Sequence, residues 1–286
     1  MNHELLKAFE NEENALDYLI GAKVVNELSN CPHCRCVIRL DRVKRLYRCQ
    51  KKTCNRKWFP FACREFRFLK IPLNKLLQIS YLYLIKTPVS GIINFTGCSS
   101  RTITSWCNRL RNILGRSLYI SQRKIGGPGI VVEVDETKLG KRKYNRGHRV
   151  DGVWCICGIE RTPEKRCFVV SVEDRSSDTI KNVLSNHINQ GSIIYTDCWR
   201  AYKKPCEELF FQHLTVNHSK EFVDKVTGVH TNTVEGLNNA LKTEIKPRNR
   251  NKEGIDDYLN FFLWKRINKT RIWDTFILAL KDYINK

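Results

Sequence analysis

The chain of 286 residues is 42% apolar, holds six tryptophans and carries 50 Lys and Arg against 29 Asp and Glu, a net charge of +21. This apolar content excludes a disordered chain, and the length suffices for roughly two or three domains. No apolar run approaches the ~18 residues that a membrane span needs, which excludes a spanning segment. The charge is unevenly placed: residues 1–30 sum to −4, residues 31–130 to +19 and residues 131–286 to +6. A solubility role spreads charge over a surface, whereas a concentrated basic block is the footprint of a phosphate backbone. Nucleic acid is therefore the expected partner, and a membrane is not.

Residues 1–30 read as an N-terminal helical segment. The opening "MNHELLKAFENEENALDYLI" lacks the basic start and long apolar run of a secretory leader. The 13 cysteines are then expected in a reducing, intracellular compartment, the nucleus of a eukaryote or the cytoplasm of a bacterium, where thiols more often bind metal than pair. Four of them stand as "CPHC" at 31–34 and "CQKKTC" at 49–54. This spacing puts two thiolate knuckles on either side of a β-hairpin and predicts a zinc ribbon over 31–62, with Cys31, Cys34, Cys49 and Cys54 as ligands to structural Zn2+. His33 and Cys36 are neighbours that could replace a knuckle ligand, and the other cysteines read as packing residues.

Residues 70–118 read as a helix-turn-helix. Leu73, Leu76, Leu77, Ile79 and Tyr83 recur at helical spacing, Pro88 breaks the pattern, Gly97 supplies a turn, and Ser99 or Ser100 caps a last helix. In such a module the N-terminal residues of the last helix face the bases, which makes Arg101, Thr102, Thr104 and Ser105 the candidate DNA-facing positions. The bland alternative is a helical packing module that touches no DNA.

From 128 to 286 the pattern changes. "GIVVEVDETKLG" reads as a strand ending near Asp135, and two further strands follow. Then come a helix over "SSDTIKNVLSNHIN", a strand ending on Asp197, a helix, a short strand and a helix carrying Glu235. Three strands, helix, strand, helix, strand, helix is the order of an RNase H-like domain, so the expected class is α/β with a ribbon and a helical module ahead of it. In that order Asp135, Asp197 and Glu235 converge. Converging carboxylates need a cation, and hard oxygen ligands suit Mg2+ or Mn2+, two of which can hold the attacking and leaving oxygens of a phosphoryl transfer. Lys138, Lys141, Arg142, Lys143 and Arg146 follow Asp135 and are expected to grip phosphates. Lys242, two helical turns after Glu235, lies on the same helix face. Each acid has a plainer explanation too. Asp197 could cap the next helix, Glu235 could form a capping box with Asn232, and Glu133 shares the face of Asp135 and competes with it.

"VDETKLGKRKYNRGHRVDGVWCICGIER", "YTDCWRAY" and "VNHSKEFVDKVTGVHTNTVEGLNNALK" resemble, in order, the catalytic motifs of Merlin-type DDE transposases and their bacterial insertion-sequence relatives. The resemblance implies that Asp135, Asp197 and Glu235 are the DDE triad. It also implies metal-dependent cleavage and joining of DNA at terminal inverted repeats, in a homo-oligomeric synaptic complex. Asn238 departs from the family, which commonly has tryptophan there; the expected effect is loss of an apolar anchor and some loss of activity. The alternative readings are a domesticated, catalytically silent DNA-binding descendant and an RNase H-like nuclease acting on RNA or a junction.

Overall fold

The computed structural model describes residues 3–25, 27–61, 63, 66, 70–121, 124–140, 152–216 and 229–285. The chain divides into two units, Met1–Ser117 together with Asn268–Lys286, and Leu118–Ile267. The second unit therefore differs from the expected 128–286 segment at both ends, and the terminal helix belongs to the first.

In the first unit, helices α1 (His3–Glu10) and α2 (Glu12–Gly21) are separated by Asn11, whose side chain accepts the Asn14 N–H at 2.9 Å and caps α2. Strands β1 (Ile38–Asp41) and β2 (Leu46–Cys49) form the anticipated hairpin, and β3 (Lys57–Trp58) adds an unforeseen third antiparallel strand. Each cysteine knuckle closes on a left-handed residue directly after its second cysteine, Arg35 (φ 57°) and Asn55 (φ 41°). Helices α3 (Leu73–Leu84), α4 (Val89–Thr96) and α5 (Ser100–Ser121) follow. Pro72 and Pro88 start the first two of these, where the missing N–H costs nothing, and Gly97 at φ 69° ends the second. Ser99 is the residue that caps α5, accepting the Thr102 N–H at 3.2 Å. Trp106 donates to Ser80 Oγ at 2.8 Å, so the indole is buried with its polar edge satisfied. The terminal helix, Ile272–Ile284, buries Phe276, Leu280 and Ile284, and its Trp273 donates to the Tyr18 hydroxyl at 2.7 Å.

The second unit is built on a five-stranded sheet. Its strands are β4 (Val131–Leu139), β5 (Val153–Glu160), β6 (Cys167–Val172), β7 (Ile193–Asp197) and β8 (Gln212–Val216), in the order β6-β5-β4-β7-β8. The first three pair antiparallel, and β4, β7 and β8 run parallel. Helices α6 (Ser177–His187) and α7 (Lys203–Glu208) cover one face, where Val132, Val134, Ile156 and Ile194 meet Ile180, Val183, Leu184, Tyr202 and Cys206. Helix α8 (Asn232–Glu244) packs on β4 and β5, and α9 (Ile255–Ile267), absent from the sequence reading, packs on β6. Gly158 on β5 is required by close approach: a Cβ there would lie 2.2 Å from the Phe168 ring. The first strand does not end near Asp135, as the sequence suggested. Alternation continues through buried Thr137 and Leu139, and the ladder to β5 holds to Leu139↔Val153, so Asp135 is mid-strand. Among the described residues no helix is long and apolar enough to cross a membrane.

Candidate active site and metal centre

Strand alternation sends Val132 and Val134 into the α6–α7 core and Glu133 and Asp135 to the face that carries α8. β4 and β7 pair as Val131↔Ile193, Val132↔Ile194 and Glu133↔Tyr195. The same offset sets Asp135 level with Asp197 on the neighbouring strand. Asp135 is pushed up to about 6 by burial, by repulsion from Asp197 and from Glu235, against the Glu136 N–H and the Lys242 cation. The charges of the three other sequence-selected residues are thus all felt at Asp135. Asp135 Oδ1 accepts the Glu136 N–H at 2.8 Å, and its Oδ2 accepts Asn238 Nδ2 at 2.8 Å.

The plainer explanations for the acids fare differently. Asp197 does brace the following turn, accepting the Trp199 N–H at 2.9 Å, and this leaves its second oxygen outside that bond. Glu235 makes no capping box with Asn232: the residue before α8 is Thr231, whose hydroxyl lies 3.4 Å from Glu235 Oε1. Glu133 has a separate job. Fully buried, it accepts the Thr233 and Val234 N–H groups at 2.8 and 2.9 Å and the Thr233 hydroxyl at 2.8 Å, and it pairs with Arg161 at 2.6 Å. Arg161 also donates to the His230 carbonyl at 2.8 Å and lies over the Tyr195 ring at 4.8 Å. A carboxylate on the first N–H groups of a helix satisfies orphan donors and complements the dipole, so Glu133 and Arg161 fix the start of the helix that carries Glu235 and Lys242.

Several residues near the acids escaped sequence reasoning. Glu136, on the opposite face of the strand from Asp135, is pushed up to about 7 by burial and by Asp135 and Asp197, against Arg175. The Arg175 guanidinium lies over the Trp154 ring at 3.7 Å and the Trp199 ring at 4.5 Å. It thereby braces the residue whose N–H holds Asp197. The adjacent acids Asp135 and Glu136 were a readable signal, since alternation must bury one of them on the apolar face. Nothing local marks Arg175. Lys138 lies over Trp154 at 5.3 Å, while Lys141, Arg142, Lys143 and Arg146 lie outside the described residues.

Cys31, Cys34, Cys49 and Cys54 bring their sulfurs within 4.8 Å of one another, the one group of three or more His, Cys, Asp or Glu donors so gathered among the described residues. Cys31 and Cys54 are 3.8 Å apart and Cys34 and Cys49 3.5 Å. A tetrahedron with Zn–S bonds of about 2.3 Å has edges of about 3.8 Å, so the four sulfurs fit zinc. His33 Nδ1 stands 3.7 Å from Cys54 Sγ, and Cys36 is outside the group, its carbonyl accepting the Cys31 N–H. An all-carboxylate set such as Asp135, Asp197 and Glu235 suits the hard ions magnesium or manganese. On α5, Arg101, Thr104 and Ser105 are exposed and Thr102 is half-buried beside the Ser99 cap, while Ile103, Trp106 and Cys107 face the core.

Residues 125–266 match the family model of the ISXO2-like transposase domain. Among solved structures, the chain is similar to the catalytic core domain of BIV integrase, at 13% identity over 49% of this chain and 84% of that one, with a TM-score of 0.34. It is also similar to the protein of a pre-cleavage Mos1 transpososome, at 10% identity over 68% of this chain and 77% of that one, with a TM-score of 0.25. No curated protein matches the chain.

Proposed function

The chain carries an ISXO2-like transposase domain over residues 125–266, and from that premise we propose a DNA transposase that binds terminal inverted repeats and catalyses metal-dependent cleavage and strand transfer. The observation that carries this reading is the meeting of Asp135 and Asp197 at one register on parallel strands, with the charges of Glu235 and Lys242 felt at Asp135. The strand order β6-β5-β4-β7-β8, antiparallel then parallel, supports an RNase H-like catalytic domain.

Asp135, Asp197 and Glu235 would hold two Mg2+ or Mn2+ ions, which supply activation of the attacking hydroxyl and stabilisation of the leaving oxygen. The chain's own residues do the positioning. The Glu136 and Trp199 N–H groups orient the two aspartates. Glu133 and Arg161 hold the helix that presents Glu235. Lys242, exposed on that helix, is placed for a phosphate of the cleaved end. Lys138 and the basic run that follows it in the sequence, Lys141, Arg142, Lys143 and Arg146, would supply phosphate contacts to the strand being cut.

The other modules fit the same reading. The four cysteines suit one structural zinc ion, the block with a charge of +19 at 31–130 suits DNA, and the exposed start of α5 offers Arg101, Thr102, Thr104 and Ser105 to bases. Pairing of two ends calls for a homo-oligomer, acting where DNA and reduced thiols coexist, in the nucleus or cytoplasm. The test is a labelled end-DNA duplex with magnesium. Asp135→Ala, Asp197→Ala and Glu235→Ala should each abolish cleavage and joining while leaving DNA binding intact. Lys242→Ala should reduce joining only in part. Retained cleavage by Asp197→Ala would overturn the triad, and a wild-type chain that binds ends but never cuts them would be a silent descendant instead.

A further inference from the structure

Position 238 is where the sequence leaves its family's pattern, and an asparagine there reads at first as a lost apolar anchor. The structure gives it other work. Asn238 lies one helical turn beyond Glu235 and is 4% exposed. Its Nδ2 donates to Asp135 Oδ2 at 2.8 Å, while the Glu136 N–H donates to Asp135 Oδ1 at 2.8 Å. Two donors, one at each oxygen, fix the carboxylate's rotation and leave lone pairs on both oxygens for other partners. Both donors are neutral, so neither cancels the charge an ion would bind.

The carboxamide has only one workable orientation. Turned over, it would set Oδ1 against Asp135 Oδ2, acceptor against acceptor. In the observed orientation Asn238 Oδ1 is buried and has no hydrogen-bond partner among the described residues. A buried, unpaired carbonyl is a cost that packing alone would remove by using leucine, which has the same shape. We propose that Asn238 is a positioning residue that locks Asp135 in its ion-binding orientation, retained at the expense of its own unpaired oxygen. The inference rests on the reading of Asp135 as a metal ligand.

The experiment uses the full chain with its ribbon zinc in place. Mn2+ affinity is measured by electron paramagnetic resonance, and single-turnover cleavage of end DNA is followed as a function of magnesium. Asn238→Leu keeps the shape and removes the donor. It should weaken Mn2+ binding by about 10–100-fold, the usual effect of losing a partner that orients a metal ligand. Its melting temperature should equal or exceed that of the wild type, and its cleavage should recover as magnesium is raised. If Asn238→Leu does not fold, Asn238→Ala, which cannot clash, should show the same weakening. Asp135→Ala separates the two levels of the argument. If it loses the ion while the folded Asn238 variant binds Mn2+ like the wild type, position 238 serves packing only and this inference falls alone. If Asp135→Ala binds Mn2+ as tightly as the wild type, the triad reading falls and takes the inference with it.

Discussion

The Val234 N–H donates to Glu133 Oε2 at 2.9 Å, joining the first turn of a helix to a strand residue 101 positions earlier. Glu133 carries the sequence signature of a catalytic acid and serves as an anchor. Glu133→Ala takes the carboxylate from the half-buried Arg161 cation and from two helix N–H groups, and should cost about 3–5 kcal/mol of stability. Glu133→Gln keeps an acceptor oxygen and should cost less, about 1.5–3 kcal/mol. Denaturant titration of both variants checks the order. In the Gln variant, cleavage should fall without being abolished, unlike in Asp135→Ala.

Asp135 is held at about 6, above its ordinary 3.8, chiefly by burial and by Asp197. Between these values the folded chain keeps a proton that the unfolded chain has lost, so this group's contribution to stability falls as pH rises from about 4 to about 6. Above that window the ionised carboxylate costs about 2–3 kcal/mol, at 1.36 kcal/mol for each pKa unit. In magnesium-free buffer Asp135→Asn should therefore be more stable than the wild type at pH 7.5 by up to about that amount. The advantage should vanish below about pH 4. Equal melting curves at pH 7.5 would remove the repulsion from the account of the site.

Purified under reducing conditions, the chain should contain one zinc ion, measurable by elemental analysis. Cys49→Ser should release it and abolish amide protection over 31–60, because the three short strands there bury too little to fold without metal. Protection over Val131–Leu139 should persist.

Affinity for end DNA should fall steeply with salt, since so much of the positive charge lies at 31–130. Lys51→Ala and Lys52→Ala, both at exposed positions, should each lower the salt slope by about 1 and leave sequence preference unchanged. Arg101→Ala should cost about 1–3 kcal/mol on the end sequence and less on random DNA. If all three variants behave alike, the start of α5 does not read bases.

The strand ending on Asp197 was legible because its residues alternate between buried and half-buried, and the helix over Ser177–His187 because Ser176 caps it. The helix carrying Glu235 was legible from the spacing of Val234, Leu237 and Leu241 alone, since no side chain caps it. The end of β4 was misread because the charged run after Asp135 resembles a loop, whereas partner strand β5 keeps the ladder going to Leu139. The candidate acids could be picked out by order and spacing. What orients them could not: Arg161, Arg175 and Asn238 act across distances of 21 to 103 residues in the chain, and no local pattern encodes such pairings. Glu133 was legible as an acid on the right face, but only its burial against a helix start tells an anchor from a ligand.

The first unit begins the chain and is finished only by Ile272–Ile284, after the whole of Leu118–Ile267 has intervened. On the ribosome the order is then reversed from the order of the sequence. The sheet unit has all its strands and helices once Ile267 has emerged, while the helices around Tyr18 still wait for Trp273 and Phe276. A chain stopped shortly after Ile267 would carry every candidate catalytic acid and yet leave apolar surface bare in the unit that comes first. Chain-terminating changes between Ile267 and Ile284 should therefore show themselves as aggregation and degradation before they show themselves as faulty chemistry.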